Sequence, residues 1–588
     1  MNKFFLWIAT STLLLAQHSS AQSLQTAYDQ RGLVSLAYNG VSLVNLDAGL
    51  GDAFLVGGYN LGGNGGWGGS GYTADWNPGS QTLTWSWTWG SVACQFTTPG
   101  GANNLLVTIT VQNTSNQTLN SINIFPLGLQ FPSLPQQFGS ASYPQFHNNL
   151  DAPVLIPADY GSGMLVLADG DSKPLYLGFS PSGAAGHYEL EASTTNDSTQ
   201  GFLATAVPVN RPVAPGQTDT YSFSLRFAPS GTDYHSIASD VLTTFGQTWP
   251  QTLNWSDRRP IGELFMTNPT SSSISGSSPN PRNYTVAQSI NIQTEAGLSA
   301  FQQAVLAYAD NSVQVLKNMN AQGAVVWDLE GQQYSQPNTS YVGDPSQLAA
   351  MSPEMNGIAD AFFARFTSAG LRCGMTIRPQ TLDLSVSPPN QNSVPVTDEA
   401  GIMIQKIQYA YTRWGCTLFY VDSDDGPDDS TAASTFQQVM QALPNVLIIP
   451  ENIWPKDSAY TAPLGSFWAP YKPLHTAPDE KTMWPNAFTV SYVGDAPNHD
   501  LTNNPNNPNQ WSEFLQAVKN GDILSFRAWF DDEPLNNQIL ELYSQSHVSS
   551  AQPAPPTLVN PIEAPASPVK QFTSPAPPAT AGGQEGNH

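Results

Sequence analysis

The sequence predicts a multidomain chain, an N-terminal all-β sandwich followed by an α/β domain of the (β/α)8 TIM barrel type, on three observations. Runs with period-two alternation, rich in Thr, Val, Tyr and Trp, fill residues 24–229, and no helical period of comparable length interrupts them. From residue 261 short apolar runs alternate with amphipathic stretches of helix length, which is the pattern of βα units. Eight such runs fit between residues 261 and 528, close to the ~250 residues usual for that barrel.

In chain order, residues 1–21 come first. They combine Lys3, an apolar stretch at 4–16 and small residues at Ser19 and Ala21, so they read as a cleaved secretory signal and place the protein outside the cytoplasm, secreted or periplasmic. No later stretch reaches the ~20 continuous apolar residues that a membrane span requires. The sandwich is expected over residues 22–232. Its strands are read at 82–96, 105–112, 119–125, 164–167, 175–179, 202–209 and 220–227, separated by Gly, Asn, Ser and Pro, and they predict two packed antiparallel sheets. The Gly-rich stretch 51–71 offers few side chains for packing and is read as a long loop or a set of tight bends, either a surface loop or a cover over a neighbouring site.

Residues 233–258 form an expected linker helix, with its helical period at 234–245, leading to Trp255, Asp257, Arg258, Arg259 and Pro260. The barrel is expected over 259–548. Its strands are read at 261–267, 324–328, 373–378, 417–422, 446–450, somewhere within 464–470, 487–492 and 523–528. Helices are expected near 298–319, 353–369, 398–413, 431–443 and 511–520, with Pro353 suited to a first helical turn. The strands are apolar at nearly every position, as they must be when helices cover the outside and side-chain layers fill the inside. Residues 549–588, rich in Pro, Ala and Ser, have too little apolar content for a core and are expected to be disordered.

Composition narrows the function. The formal charge of −25 is spread along the chain and argues against nucleic acid, whose phosphates need a basic surface, while a neutral substrate is tolerated. With three cysteines, disulfides do not build this fold. Cys373 and Cys416 stand at the starts of two neighbouring strands, and both a bond between them and a pair of buried thiols stay open. There is no Gly-x-Ser-x-Gly elbow and no phosphate-cradling Gly-Lys-Ser/Thr loop, so serine-hydrolase and nucleotide-driven chemistry are poor readings. His475 and His499 are isolated, so neither zinc nor any other cofactor is expected.

A barrel of this kind carries its active site at the C-terminal ends of its strands. Those ends are acidic: Trp327, Asp328 and Glu330 close strand two, Arg378 strand three, Tyr420 and Asp422 strand four with Asp424 and Asp425 after them, Glu451 strand five, Asp495 strand seven, Arg527 and Trp529 strand eight. Converging carboxylates are what glycosidic cleavage needs, one to protonate the leaving oxygen and one to attack the anomeric carbon or activate water. Asp422 and Glu451 are the expected pair. They end consecutive strands, which lie ~4.8 Å apart, near the ~5–5.5 Å carboxyl separation of retaining enzymes. Arg378 and Arg527 are costly to bury unpaired and are expected to face carboxylates, either in the site or as structural ion pairs. Trp327, Trp454, Trp468, Tyr471 and Trp529 are candidates to stack on the apolar faces of sugar rings, with ordinary packing as the alternative.

The ending Phe419-Tyr420-Val421-Asp422 resembles the nucleophile strand of the alpha-galactosidase and alpha-glucosidase clan, whose catalytic barrel also follows a β-sandwich. The Asp422 and Glu451 pair is similar to the alpha-amylase superfamily, in which strand four supplies an Asp nucleophile and strand five a Glu acid. The assignment of Asp422 and Glu451 at this retaining separation implies a covalent glycosyl-enzyme on Asp422 with Glu451 as acid and then base. Two departures are visible: Tyr420 stands where the alpha-amylase pattern carries Arg, and no clear Asp follows strand six, where the alpha-galactosidase pattern carries one. Asn498-His499-Asp500 is similar to an alpha-amylase signature but falls beyond strand seven.

Alternatives stand beside these expectations. Asp422 reads otherwise as a helix cap, Glu451 as a solvated loop carboxylate, and the run 422–429 as a calcium loop that lacks the full spacing and terminal Glu. Asp328 or Glu330 is the alternative acid or nucleophile. At the level of function the leading expectation is a secreted retaining glycosidase acting on a carbohydrate. Its rivals are a non-catalytic carbohydrate-binding barrel and a structural or adhesive surface protein.

Overall fold

The computed structural model describes residues 23–45, 54–66, 71–100, 103–133, 153–170, 176–181, 186–194, 211–267, 278–332, 340–383, 393–394, 398–422, 425–426, 429–430, 433–452, 455–466, 474–493, 500–503, 508–528 and 533–546. The expected signal 1–21, the run 202–209 and the tail 549–588 lie outside the described residues.

Among the described residues the first half is all-β and antiparallel, as expected, but it holds three sheets rather than two, of three, five and seven strands. The additional sheet is formed by Leu24–Asp29, Gly32–Tyr38 and Val41–Asn45. Its last turn is Asn39-Gly40, with φ of 52° and 79°, the left-handed pair that a two-residue hairpin favours. In the Gly-rich stretch, of which 54–66 and 71 are described, the tight bend is the alternative that appears. Leu55–Leu61 pairs with Leu119–Gln130 and, through a turn at Gly62 and Gly63, with Asn64–Gly66. Both turn glycines have positive φ, so here glycine makes a tight hairpin. Side chains from the three sheets, among them Leu36, Val107 and Ile122, join in one core.

The strand Met164–Asp169 is buried at every position. Leu165 and Leu167 face that core. Met164, Val166 and Ala168 face the other way, into a cluster with Leu242 and Phe245 of helix Ser239–Thr248. The expected linker helix is thus two helices, Tyr234–Ile237 and Ser239–Thr248, sandwiched between sheet and barrel. The Trp484 indole donates to the Trp249 carbonyl at 2.7 Å on the barrel side.

The second half supplies eight parallel strands: β1 Ile261–Phe265, β2 Gly323–Trp327, β3 Arg372–Ile377, β4 Leu418–Val421, β5 Leu447–Pro450, β6 Leu464–Ser466, β7 Val490–Tyr492 and β8 Ile523–Arg527. They pair in the order β5-β4-β3-β2-β1-β8-β7-β6. The ladder is open only between β5 and β6, where Ala462 N–H donates to the Ile448 carbonyl at 2.9 Å across the seam. Side chains alternate as a closed barrel demands. Ile261, Val325, Leu418, Leu447, Val490 and Ile523 share the lumen, plugged from below by Leu253 and Trp255. Leu264, Val326, Met375, Val421, Ile448 and Leu524 pack outward under the helices.

Several boundaries differ from expectation. β7 is confined to Val490–Tyr492 because Ala487 N–H bonds the Trp484 carbonyl, outside the ladder. The expected helix 353–369 is Pro353–Asn356 and Ala359–Ser368. A helix at Glu533–Ser546 follows β8 and buries Leu535, Ile539 and Leu542. Cys373 and Cys416 are buried thiols with their sulfurs 3.8 Å apart, too far for the ~2.05 Å of a disulfide.

Candidate functional site

Parallel register decides which strand-end side chains meet. Ile377 of β3 pairs with Val421 of β4, and Val421 with Pro450 of β5. One step further, Asp422 N–H donates to the Ile377 carbonyl at 2.8 Å and Glu451 N–H to the Val421 carbonyl at 3.0 Å. Arg378, Asp422 and Glu451 therefore share one row at the C-terminal end of three consecutive strands. Tyr420 and Ile449 face the lumen, and period-two alternation carries Asp422 and Glu451 to that same inner face. Asp422 is buried and Glu451 is half-buried.

Arg378 is almost wholly enclosed, and its Nε donates to Asp422 Oδ2 at 2.9 Å. Its guanidinium also lies 5.0 Å from the centre of the Tyr341 ring. Pairing a buried guanidinium with a buried carboxylate fixes the direction of both groups and avoids the large cost of leaving either alone.

Asp328 ends β2 with φ of 58°, a left-handed conformation that costs a non-glycine residue ~1–3 kcal/mol and is over-represented at functional sites. Its Oδ2 accepts the Thr267 hydroxyl at 2.6 Å, and the Tyr284 hydroxyl grips the next carbonyl, that of Leu329, at 2.9 Å. Burial pushes the Asp328 carboxyl up to about 7; the Thr267 bond pulls it down, the charge of Asp422 raises it and that of Arg378 lowers it. Glu330 is fully buried, accepts the Asp344 N–H at 3.0 Å through Oε1, and has no hydrogen bond at Oε2 among the described residues. Burial raises its carboxyl to about 8.

Three aromatic rings floor the site. Phe265 stacks on Trp327 at 5.1 Å, and Trp327 meets Tyr420 at 4.2 Å. A small cavity beneath them is lined by Ile261, Glu263, Val325, Trp327, Tyr420 and Ile449. Arg527 is the register partner of Glu263, across the barrel from Asp422, and its Nε donates to the Tyr492 hydroxyl at 3.1 Å.

The structure thus brings together Asp422, Glu451, Arg378, Tyr420, Trp327, Asp328 and Glu330, with Arg527 on the opposite wall. Asp424, Trp454, Asp495, Trp529, Trp468, Tyr471 and His499 lie outside the described residues. His475 bonds the backbone near the bottom of the barrel, next to Thr476 and buried Asp522. Sequence reading missed Thr267, Tyr341, Glu263 and Lys406. The last two carried a signal: Glu263 interrupts an apolar strand, and Lys406 falls on the helix face of Met403, Ile407 and Ala410. Among the described residues no group of three or more His, Cys, Asp or Glu side chains is arranged to hold a metal ion, and no helix is long and apolar enough to cross a membrane.

No family model and no curated protein sequence matches the chain. Solved structures do. A GH36 alpha-galactosidase, AgaB from Geobacillus stearothermophilus, aligns over 84% of this chain and 75% of its own at 10% identity and a TM-score of 0.42. The alpha-N-acetylgalactosaminidase NagBb from Bifidobacterium bifidum, a quadruple mutant, aligns over 90% and 92% at 10% identity and a TM-score of 0.46. The galactosidase domain of the alpha-galactosidase-sucrose kinase AgaSK aligns over 89% and 74% at 11% identity and a TM-score of 0.40. All three are named as glycoside-cleaving proteins.

Proposed function

We propose that the protein is a secreted or periplasmic glycoside hydrolase that cleaves a neutral glycan with retention of configuration. The observation that carries this is the single row Arg378, Asp422, Glu451 on the inner face of the barrel mouth. The Asp422 carboxylate attacks the anomeric carbon while Glu451 gives its proton to the departing glycosidic oxygen. Bond-breaking leaves a glycosyl ester on Asp422. Water then attacks that ester, Glu451 takes the water's proton, and the Asp422 carboxylate is released. Arg378 orients the attacking carboxylate, and Trp327 with Tyr420 offers an apolar floor for a sugar ring.

The test is a panel of aryl glycosides and neutral polysaccharides with product stereochemistry followed by NMR. Retention is expected, and an inverted product overturns the pairing. Asp422→Asn lowers kcat about a thousandfold or more. Glu451→Gln loses poor leaving groups but spares the first step of dinitrophenyl glycosides, which need no protonation. A chain that binds glycans, yet turns over none, is the non-catalytic barrel instead.

A second proton donor is favoured by one observation, the Asp328 carboxyl at about 7 beside the Asp422 charge, since an acid that holds its proton near neutrality suits that role. If Asp328→Asn, rather than Glu451→Gln, shows the leaving-group dependence, the donor is Asp328.

A further inference from the structure

Among the described residues the ladder between β3 and β4 ends with the bond from Asp422 N–H to the Ile377 carbonyl. The carbonyls of Arg378 and Gln380 lie inside the protein, where a backbone acceptor needs a hydrogen-bond donor. Lys406 meets both. Its Nζ donates to the Arg378 carbonyl at 2.7 Å and to the Gln380 carbonyl at 2.8 Å, and the side chain is buried. The lysine comes from helix Glu399–Trp414, which ends in the left-handed Gly415 and leads directly into β4. One helix therefore grips the end of β3 and delivers the strand that carries Asp422. From the other side Arg378 N–H donates to the Gly343 carbonyl at 3.0 Å, and Gly343 lies so close that a Cβ there would sit 2.6 Å from the Arg378 nitrogen. Burial presses the Lys406 ammonium down to about 8, against the pull of Asp344 and, once it is ionised, of Glu330.

We infer that Lys406 is a positioning residue of the site: by holding the Arg378 and Gln380 carbonyls it aims the Arg378 guanidinium at Asp422. This rests on the glycosidase proposal for its effect on rate, but not for its effect on Arg378. A buried ammonium is an expensive way to cap two carbonyls if stability is all that is gained, since it must be desolvated and balanced by nearby acids.

The experiment uses the full chain labelled with [15N]arginine. The Arg378 Nε–H resonance, identified by its loss in Arg378→Lys, reports the ion pair directly. In Lys406→Met that resonance is expected to shift and exchange faster with solvent, while Lys406→Gln, which keeps two N–H donors, moves it back toward the wild-type position. With the best aryl glycoside kcat is expected to fall roughly tenfold to a hundredfold in Lys406→Met, as a small misplacement of a reacting group does, with KM changed less than about threefold. An unmoved Arg378 resonance in a folded Lys406→Met chain overturns the inference, as does an unchanged kcat in that variant. If Lys406→Met does not fold, Lys406→Ala, which also lacks the donor, gives the same two readouts against wild type. A wild-type chain that hydrolyses no glycoside overturns the glycosidase proposal, and the resonance alone then decides the role of Lys406.

Discussion

Asp328 holds a left-handed φ of 58° inside a closed site, so its backbone and its carboxyl can be tested apart. Glycine relieves the backbone and asparagine tolerates it, whereas alanine pays the full steric penalty. Asp328→Gly is therefore expected to exceed Asp328→Ala in unfolding free energy by about 1 kcal/mol, read from denaturant titrations. The carboxyl sets a pH dependence. Burial raises Asp328 to about 7 and Glu330 to about 8 in the folded protein, against ~4 in an unfolded chain. Between those values the folded state binds more protons, so stability is greatest near pH 4 and is lost as pH rises through about 7 to 8. Thermal midpoints in a pH series should fall across that window, and Asp328→Asn with Glu330→Gln should flatten the slope. A slope unchanged in the double variant would mean that other groups set it.

At the scale of the element, the row of functional residues depends on how closely β3 approaches β4. Gly374 permits that approach. A Cβ built on it would lie 1.6 Å from the Leu418 carbonyl oxygen, inside the ladder that aligns Arg378 with Asp422. Gly374→Ala is expected to cost about 3 kcal/mol or more, because the backbone has to move where no rotamer change can relieve the clash. The checks are a denaturation midpoint and, in whatever fraction folds, the ratio of kcat to wild type.

Across the whole molecule, the sheet domain and the barrel meet through the helix Ser239–Thr248, whose Leu242 and Phe245 share a buried cluster with Met164 and Val166 on one side and Met483 and Trp484 on the other. Gly246 sets the closeness of that contact, since a Cβ there would lie 2.4 Å from the Met483 carbonyl oxygen. His235 adds a polar contact across it, with Nε2 2.9 Å from Asp479 Oδ1, and burial lifts Asp479 to about 6 against the pull of His235. Gly246→Val is expected to split one calorimetric unfolding transition into two as the halves uncouple. A single transition that merely moves downward would show that they unfold together regardless.

Much of this was legible in the chain. The period-two runs gave the antiparallel half, and the nearly all-apolar runs gave all eight barrel strands, because a strand covered on both faces has few polar positions to break the run. The chain also named the residues at the strand ends, since a barrel's chemistry has to lie where the lumen opens. It did not reveal the third sheet or the Gly62-Gly63 hairpin, whose strands are short and partly exposed and so leave little hydrophobic signal. What only the tertiary structure decided is which of those end residues share a row and what their surroundings do to them. Register and burial depend on contacts between segments far apart in sequence. So the pairing of Arg378 with Asp422, the left-handed Asp328 and the buried grip of Lys406 appear only when β2, β3, β4 and the helix between the last two are brought together.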